Sequence, residues 1–558
     1  MCGIFGGHNV SNKEVIKGIE LIKRGYDGVS VDEVDENVIF GARRHAIKFC
    51  GNEKKLLNRS DQPYYSDDKD VALIFNGEFY NFEEYKLKLK EDKILFKSEG
   101  DTEVLLKLYE KYGISFLRDK KIDSLYSIAI YDKKLKKIFI ARDWPGRIPL
   151  YYYFDEQKFI FSSELKAFRA IKNLSLQKPI ELVPGQIIEY DIKSRKLKLI
   201  SSYSLDPYIS KNSNNILKLG EEMHKILDSS SKNRTMGDVP ICTMLSGGID
   251  SVLTTYYVLK NINFNQVNYE PTSYVFKVKG FDSIDVKTAK IAAEGFKEIG
   301  LKLKVVETNG DEIVKDMPQI VETFEMRELK ALSFYPLPIY WYLAPEMHKD
   351  GFKVTIGGHG VDELLGAYTA WKELKTSHAA QIKLRSRKAF INNIYNNMLK
   401  RASIIFMNRG PIEARFPFLN HEVCEFMLGI DPKWLSLNKD NAEIMLKIIE
   451  DTKLEKILGK IYKNLKIYIN NDKNFFNDLP DEEIFDIEKI FWKFPLVASS
   501  YFASKESFLS LKDVFRPKIR GQHGAGITTI EPKIVQNYSK YGNSDTDIFK
   551  NISKEIFR

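Results

Sequence analysis

The sequence predicts an α+β domain followed by an α/β domain with a helical C-terminal part. Three features carry this reading: a length of 558 residues, a change from short punctuated strands to alternating strands and helices near residue 207, and mostly helical patterns beyond Ala370. A chain this long exceeds what one hydrophobic core usually organises, so two domains are expected. The boundaries read as 1–206 for the first domain, 207–216 for a polar Ser/Asn linker, and 217–558 for the second.

In the first domain, strands are expected at Val71–Phe75, Leu125–Tyr131, Lys137–Ala141, Lys158–Ser162 and Gln186–Tyr190, with helical periods at Lys13–Lys23 and Thr102–Tyr112. Short strands with turns between them suggest antiparallel pairing. In the second domain, apolar strands at Ile241–Leu245, Ser273–Lys277, Lys302–Glu307 and Lys353–Ile356 alternate with longer helical periods. That rhythm predicts a parallel sheet covered on both faces. The Asn/Lys-rich stretch Asn464–Asn477 reads as an exposed loop or insertion.

Composition narrows the function. Hydrophobic residues are 43% and charged residues 29%, as in ordinary globular proteins. The net charge of +9 comes from 85 basic and 76 acidic residues that are scattered, which argues against nucleic acid as a partner. Four cysteines, Cys2, Cys50, Cys242 and Cys424, lack zinc or disulfide spacing and fit a reducing cytoplasm. No apolar run approaches the ~18 residues of a membrane span, and no signal core follows the N-terminus. The chain is therefore expected to begin where translation begins.

The sequence opens Met1-Cys2-Gly3. Methionine before a small residue is commonly removed, which would leave Cys2 with a free α-amine of pKa near ~8 beside its own thiol, so one residue supplies base and nucleophile. Alone, Cys2 would read as a small buried hydrophobe. It is not alone: Arg24-Gly25-Tyr26-Asp27-Gly28, Arg44, Asn76-Gly77-Glu78-Phe79-Tyr80-Asn81, Gly100-Asp101-Thr102-Glu103, Arg142-Asp143 and Ser163-Glu164-Leu165-Lys166-Ala167 follow in order. Over residues 1–200 this set resembles the glutaminase domain of class II glutamine amidotransferases, the N-terminal-nucleophile family that includes asparagine synthetase.

The resemblance implies an αββα sandwich and glutamine as a substrate. It makes Cys2 the nucleophile, with the Asn76 side chain and the Gly77 N–H as oxyanion donors. Arg44 would pair with the glutamine α-carboxylate, and Asp101 with Glu78 would hold its ammonium, alongside Asn76. One departure is Tyr26, where the family has proline; it changes a turn rather than the nucleophile.

Leu245-Ser246-Gly247-Gly248-Ile249-Asp250-Ser251 follows an apolar strand and opens a helix. Glycines allow close backbone approach to phosphate, and the helix N-terminus adds partial positive charge, so this is an anion cradle, though not a Walker A loop. It resembles the PP-loop of ATP pyrophosphatases, which implies ATP cleavage to AMP and pyrophosphate, a carboxylate adenylated in passing, and Mg²⁺ as cofactor.

Gly357-Gly358-His359-Gly360-Val361-Asp362-Glu363, continuing to Tyr368, and Ile412-Glu413-Ala414-Arg415-Phe416-Pro417-Phe418-Leu419-Asn420 resemble two further segments of asparagine synthetases. By that mapping Leu245, Ser246, Gly247, Gly248, Asp250, Ser251, Phe276, Gly357 and Gly358 bind ATP, while Asp250 and Asp362 hold the metal. Asp285 and Glu363 lie in the same metal and phosphate region, and His359, Glu413 and Arg415 meet the acceptor. Lys518, within Arg516-Pro517-Lys518, is the candidate cation over the phosphates.

Three departures bear on the acceptor. Gly357 and His359 replace the family's Ser and Glu, Asn420 replaces its Asp, and Arg516–Gly526 looks closer to β-lactam and carbapenam synthetases after an enlarged segment, 453–510. A neutral imidazole can act as a base near pH 7 where a carboxylate would act electrostatically. The leading expectation is glutamine-dependent amidation of aspartate to asparagine by a carbon–nitrogen ligase. The alternatives are a related amidotransferase or lactam-synthetase-like amide ligase acting on another carboxylate, and a regulatory protein on an inherited fold. Family analogy also suggests a homodimer.

Overall fold

The computed structural model describes the chain except for residues 49–60, 204–214, 263–269, 368–378, 395–398, 471–486, 488–489, 507–508 and 510–523. Cys50, most of the linker, Tyr368, the end of the Asn/Lys-rich stretch, and Lys518 with its neighbours through His523 therefore lie outside the described residues.

The first part is built from two six-stranded antiparallel sheets. One contains β1 (Gly3–His8), β2 (Gly28–Asp35), β3 (Val38–Arg44), β8 (Tyr151–Phe154), β9 (Phe159–Ser162) and β10 (Ile180–Glu181), in the order β10-β8-β9-β1-β3-β2. The other contains β4 (Tyr64–Tyr65), β5 (Val71–Phe79), β6 (Ser124–Asp132), β7 (Lys137–Arg142), β11 (Gln186–Asp191) and β12 (Lys196–Ser202), in the order β12-β11-β7-β6-β5-β4. Side chains alternate across each pleat. Ile4, Phe40, Ile74 and Ala129 meet between the sheets. Their neighbours Phe5 and Ile39 pack outward with Val15 and Ile19 of the helix Asn12–Leu21, while Leu73 and Phe75 pack outward with Val104 and Leu105 of the helix Asp101–Tyr112.

These contacts stack helix, sheet, sheet and helix, as the resemblance implies. The first helix starts where Ser11 and Glu14 close a capping box. All five strands and both helices expected in this part are present within a few residues; seven strands and the helix Phe82–Glu91 were not expected, since glycine-rich or charged runs hide β1, β2, β3 and β12, and β4, β8 and β10 are only two to four residues long.

After the helix Ile216–Arg234 comes a five-stranded parallel sheet: β13 (Ile241–Met244), β14 (Thr272–Val278), β15 (Lys302–Thr308), β16 (Val354–Ile356) and β17 (Glu413–Arg415), in the order β15-β14-β13-β16-β17. The order reverses at β13, which places the loop after β13 at a topological switch point, where open α/β sheets bind ligands. Beyond Ala370 the described elements are mostly helical, as expected, and the strand β17 is the exception among them. It is only three residues long and too short to show a period.

The two parts share a buried boundary. The carboxylate of Glu325 accepts from the backbone N–H groups of Leu165 (2.7 Å) and Lys166 (3.0 Å), and the C-terminal Phe557 packs in one cluster with Phe5 and Val15. No described helix is long and apolar enough to cross a membrane.

Candidate active sites

The first cleft forms where three strands and one helix end together. The start of β1 supplies Cys2, the end of β3 Arg44, the last third of β5 Gly77 and Glu78, and the helix Asp101–Tyr112 supplies Asp101 at its first position. All five line one cleft with His45, Lys48 and Met236. Gly77 is required there because a Cβ would lie 2.0 Å from the Leu125 carbonyl oxygen. Asn76, fully buried beside the cleft, donates from Nδ2 to Ser163 Oγ at 3.1 Å, and that hydroxyl also accepts from the Ile4 N–H at 2.9 Å. The strand carrying the oxyanion candidate is thereby tied to the strand carrying the nucleophile.

The thiol of Cys2 accepts from the His45 N–H at 3.5 Å. Burial raises its pKa, against the lowering influence of the chain's N-terminal ammonium. With Met1 in place the Cys2 nitrogen is an amide, so the amine base exists only once Met1 has gone. Met1 itself is buried, and its ammonium lies 2.8 Å from Glu413 Oε2.

Two carboxyls share the cleft. Glu78 is pushed up to about 8 by burial and by the neighbouring Glu413 and Asp101. Asp101 is also raised by burial, although its carboxylate accepts from the Phe79 N–H at 3.1 Å. A cation entering this cleft would favour ionisation of both.

The turn Arg24–Asp27 places Arg24 on the buried carboxylate of Glu164 at 2.9 Å and Asp27 under the Ala46 N–H at 2.8 Å. Tyr26, the residue that departs from the family pattern, is exposed there.

The second site gathers at the C-terminal ends of the parallel strands. Leu245 pairs with the Tyr274 carbonyl, and Ser246 leads into Gly247 at φ +76°, a conformation that suits glycine. A Cβ on Gly247 would lie 2.4 Å from the Thr288 carbonyl carbon, and the Thr288 hydroxyl donates to the Ser246 carbonyl at 2.8 Å. Gly248 caps the helix Ile249–Asn261, and the Ser251 hydroxyl returns to the Gly248 carbonyl at 2.9 Å. The loop after β16 backs onto this cradle: a Cβ on Gly358 would sit 2.7 Å from the Asp250 carbonyl oxygen.

Phe276 stands on β14 beyond the last β13 partner pair, Met244 and Tyr274, with its ring buried and stacked on Tyr342. Its side chain therefore belongs to the core. Asp285 is buried against the backbone of Gly524, and the Ser283 hydroxyl donates to the Gly524 carbonyl at 2.7 Å. The segment that carries Lys518 thus rejoins the described chain at this site.

The acceptor candidates divide. The His359 ring shares a 2.8 Å hydrogen bond between Nε2 and the Tyr340 hydroxyl and packs 4.8 Å from the Phe416 ring. Glu413 and Arg415 alternate to the same face of β17 and are fully buried against each other, Nε to Oε1 at 2.8 Å. Arg415 Nη1 donates to the Arg234 carbonyl at 2.8 Å. Both side chains therefore face the first cleft rather than His359, a neighbourhood the sequence did not suggest. Asn420 is the N-cap of the helix His421–Leu428 and accepts from the N–H groups of Glu422 (2.8 Å) and Val423 (3.2 Å).

The sequence reading missed Lys493. Its ammonium is 2.5 Å from a carboxylate oxygen of Asp250 and 2.5 Å from one of Asp362. Burial opposes its charge, but the two carboxylates hold its pKa well above the ordinary lysine value. Its signal was a single charge inside the apolar run Ile490-Phe491-Trp492-Lys493-Phe494-Pro495-Leu496-Val497. The two carboxylates expected to hold Mg²⁺ do converge on one point, as oxygen ligands of a hard divalent ion must. That point is filled by Lys493 Nζ, so the described side chains do not fit a metal there as they stand.

Residues 1–184 match the family model described as a glutamine amidotransferase domain, and residues 222–409 the one described as asparagine synthase. Among curated relatives, the glutamine-hydrolyzing asparagine synthetase of Zea mays is 27% identical over 389 residues, 69% of this chain and 62% of the maize protein. The match thus spans under two thirds of that relative's length. Asparagine synthetase B of Escherichia coli K12 is 26% identical over 452 residues, 78% of this chain and 76% of the relative. Among solved structures, glutamine phosphoribosylpyrophosphate amidotransferase from B. subtilis aligns with a TM-score of 0.30 at 17% identity, covering 55% of this chain and 81% of that one. Glutamine-dependent NAD⁺ synthetase from Acinetobacter baumannii aligns at 0.20 and 16%, covering 61% and 52%.

Proposed function

For this chain, which joins a glutamine amidotransferase domain to an asparagine synthase domain, we propose glutamine-dependent amidation of an ATP-activated carboxylate, with aspartate as acceptor and asparagine as product. Residues 1–206 form the glutaminase and residues 217–558 the synthetase. The observation that carries this reading is the convergence of Cys2, Arg44, Gly77, Glu78 and Asp101 on one cleft, bordered by Met236 from the second part of the chain.

In the first half-reaction the Cys2 thiol gives its proton to its own α-amine, freed by removal of Met1, and attacks the glutamine carboxamide. The Gly77 N–H and the Asn76 side chain stabilise the oxyanion, Arg44 pairs with the α-carboxylate, and Glu78 with Asp101 binds the ammonium. Collapse of the tetrahedral adduct releases ammonia and leaves a thioester, which water cleaves to glutamate. In the second, the acceptor carboxylate attacks the α-phosphorus of ATP, expelling pyrophosphate from the Ser246–Ser251 cradle. Ammonia then displaces AMP from the acyl-adenylate. Lys518 is assigned to the charge on the departing phosphates.

The test is incubation with glutamine, ATP, Mg²⁺ and aspartate. Asparagine, AMP and pyrophosphate in equal amounts are expected. Glutamine hydrolysis without aspartate-stimulated pyrophosphate release would transfer the reading to an amide ligase for another carboxylate, the alternative favoured by His359 in place of a carboxylate. The Asn420 departure lends that alternative little support, because a capping role suits Asn and Asp alike.

A further inference from the structure

A cavity of about 200 Å³ lies at the boundary between the two parts of the chain and shares no residue with either site described above. Its lining comes from the start of β6, the turn after β7, the end of β12 and, across the boundary, His421. A cavity of ~150 Å³ is enough to hold benzene, so this one admits a six-membered ring with one substituent. Four rings line it: Tyr126, Trp144, Tyr203 and His421. They are mutually fixed. His421 stacks on Tyr203 with centroids 5.5 Å apart, meets the Trp144 ring edge-on at 6.1 Å, and shares a hydrogen bond between Nε2 and the Tyr203 hydroxyl.

The polar groups of the cavity are unevenly satisfied. Each of its carboxylates already has donors: Asp123 takes both Nη atoms of Arg234, Asp143 takes Arg147 Nε at 2.8 Å, and Asp119 at the rim takes the Tyr85 hydroxyl at 2.7 Å and the Lys121 N–H at 3.0 Å. Donors are left over. Trp144 Nε1 and the Tyr126 hydroxyl have no hydrogen-bond partner among the described residues, and neither is sealed from solvent. At the exposed rim Arg118 commits Nη2 to the Ile200 carbonyl at 2.9 Å and keeps the rest of its fork in solvent, while Lys120 beside it is paired with Glu425 at 3.0 Å.

We propose that this cavity binds a small aromatic carboxylate, a single six-membered ring bearing one carboxylate, with the ring against Trp144 and Tyr126 and the carboxylate on Arg118. A flat ring gains from offset or edge-on packing against such walls, which an aliphatic chain does not. A carboxylate brings the acceptors that the cavity lacks and matches the planar guanidinium. Aromatic walls also suit a cation. Here, however, a cation would meet the charge of Arg118 and would have to compete for carboxylates that other donors already hold.

Benzoate is the probe, followed on the full chain by saturation-transfer NMR and calorimetry. A dissociation constant of about 1 mM or tighter is expected for a ligand of this size. Benzyl alcohol, which keeps the ring but not the charge, should bind about tenfold more weakly, as should benzoate to R118Q, since each loses a charge-assisted contact. Acetate, which lacks the ring, should give no transfer signal. W144L should also weaken benzoate about tenfold through loss of the aromatic wall. The Arg118 side chain is exposed, so R118Q should keep the wild-type thermal midpoint, and weakened binding there reports on the site rather than on folding. Benzoate binding weaker than about 10 mM in the wild type would overturn the assignment. Equal affinity in the wild type, R118Q and W144L, or displacement of benzoate by glutamine or by α,β-methylene-ATP, would overturn it as well, because the probe would then sit elsewhere.

Discussion

Glu78 of the first cleft and Arg415 of the last parallel strand approach to 4.0 Å across the domain boundary, with the Arg415 side chain wholly buried. Arg415 is also bonded to Glu413, which holds the N-terminal ammonium. One buried charge network therefore touches the floor of the glutamine cleft and the sheet that carries the second site. Ile356 pairs with Arg415 on the strand leading into Gly357-Gly358-His359, so a shift at Glu78 has a short covalent and hydrogen-bonded path to that loop.

The raised pKa of Glu78 makes glutamine binding pH-dependent. With its pKa at about 8, the carboxyl is largely protonated at pH 6 and must ionise to pair with an α-ammonium. Below about 8, affinity is therefore expected to strengthen with pH, by up to about tenfold per unit where one proton is released. Calorimetry on C2A between pH 6 and 8 checks this without interference from the thiol, and E78Q/C2A should bind more weakly with a flattened profile. A profile unchanged by E78Q would show that the proton is released elsewhere.

Cys2→Ala separates the two half-reactions. It removes the nucleophile from a cleft that contains none of the Ser246–Ser251 cradle, so glutamate release should fall to the uncatalysed level. Pyrophosphate formation with added ammonium chloride should stay within about twofold of the wild type, since the groups expected to stabilise its transition state are untouched. Retention of glutamine turnover would place the nucleophile elsewhere, and mass spectrometry of the wild-type N-terminus should show loss of Met1.

Much of this was legible in the sequence, and the physical reasons differ by element. Near-continuous apolar runs between turns revealed β5, β6 and β7, because each packs one face between the sheets and the other against helices, leaving neither face polar. β1 was hidden: Gly6 and Gly7 pack against the backbone of Ile39 and Phe159, Gly3 packs against the Ile22 side chain, and the three glycines carry no side-chain pattern. The members of the first cleft were found because their motifs occur in order, and the fold brings those separate segments together. Lys493 was not found because its role depends on two carboxylates more than a hundred residues away, a distance no local period records. Glu413 and Arg415 read from their motif as residues that meet the acceptor, but they pair with each other toward the first cleft, because the face they present is set by the pairing of β16 with β17, which the sequence did not reveal.

Gly247→Ala should disable the second site alone. Gly247 combines φ +76° with a Cβ position 2.4 Å from the Thr288 backbone and 2.6 Å from its hydroxyl. An alanine must push the loop off the helix Ile284–Gly295 or refold the cradle, and either change moves the N–H groups that face phosphate. Aspartate-dependent pyrophosphate release should fall more than about tenfold, as expected when positioning is lost by about 1 Å. Glutaminase turnover in the same preparation should be retained. Equal loss of both activities would mean that the substitution unfolds the chain rather than the loop.

Arg234→Met should destabilise the boundary between the two parts, with a pH signature. Arg234 is wholly buried at the end of the helix Ile216–Arg234, and both its Nη atoms reach the Asp123 carboxylate, one at 2.7 Å; its guanidinium also lies 4.4 Å from the centroid of Tyr80. Burial alone would raise the Asp123 pKa, yet Arg234 holds it below the usual value, with help from Arg147 and Asn233. A carboxyl depressed in the folded state contributes stability above its unfolded pKa of ~3.9 and loses that contribution as pH falls through the folded value. Removing the arginine strands a buried charge, which typically costs about 3–5 kcal/mol. In R234M the Asp123 pKa should rise, so the variant's deficit in urea unfolding should be largest at pH 7 and shrink toward pH 4. D123N/R234M should recover part of the loss, because it leaves no charge behind. A deficit independent of pH, or a double variant no more stable than R234M, would show that the arginine acts through packing rather than through Asp123.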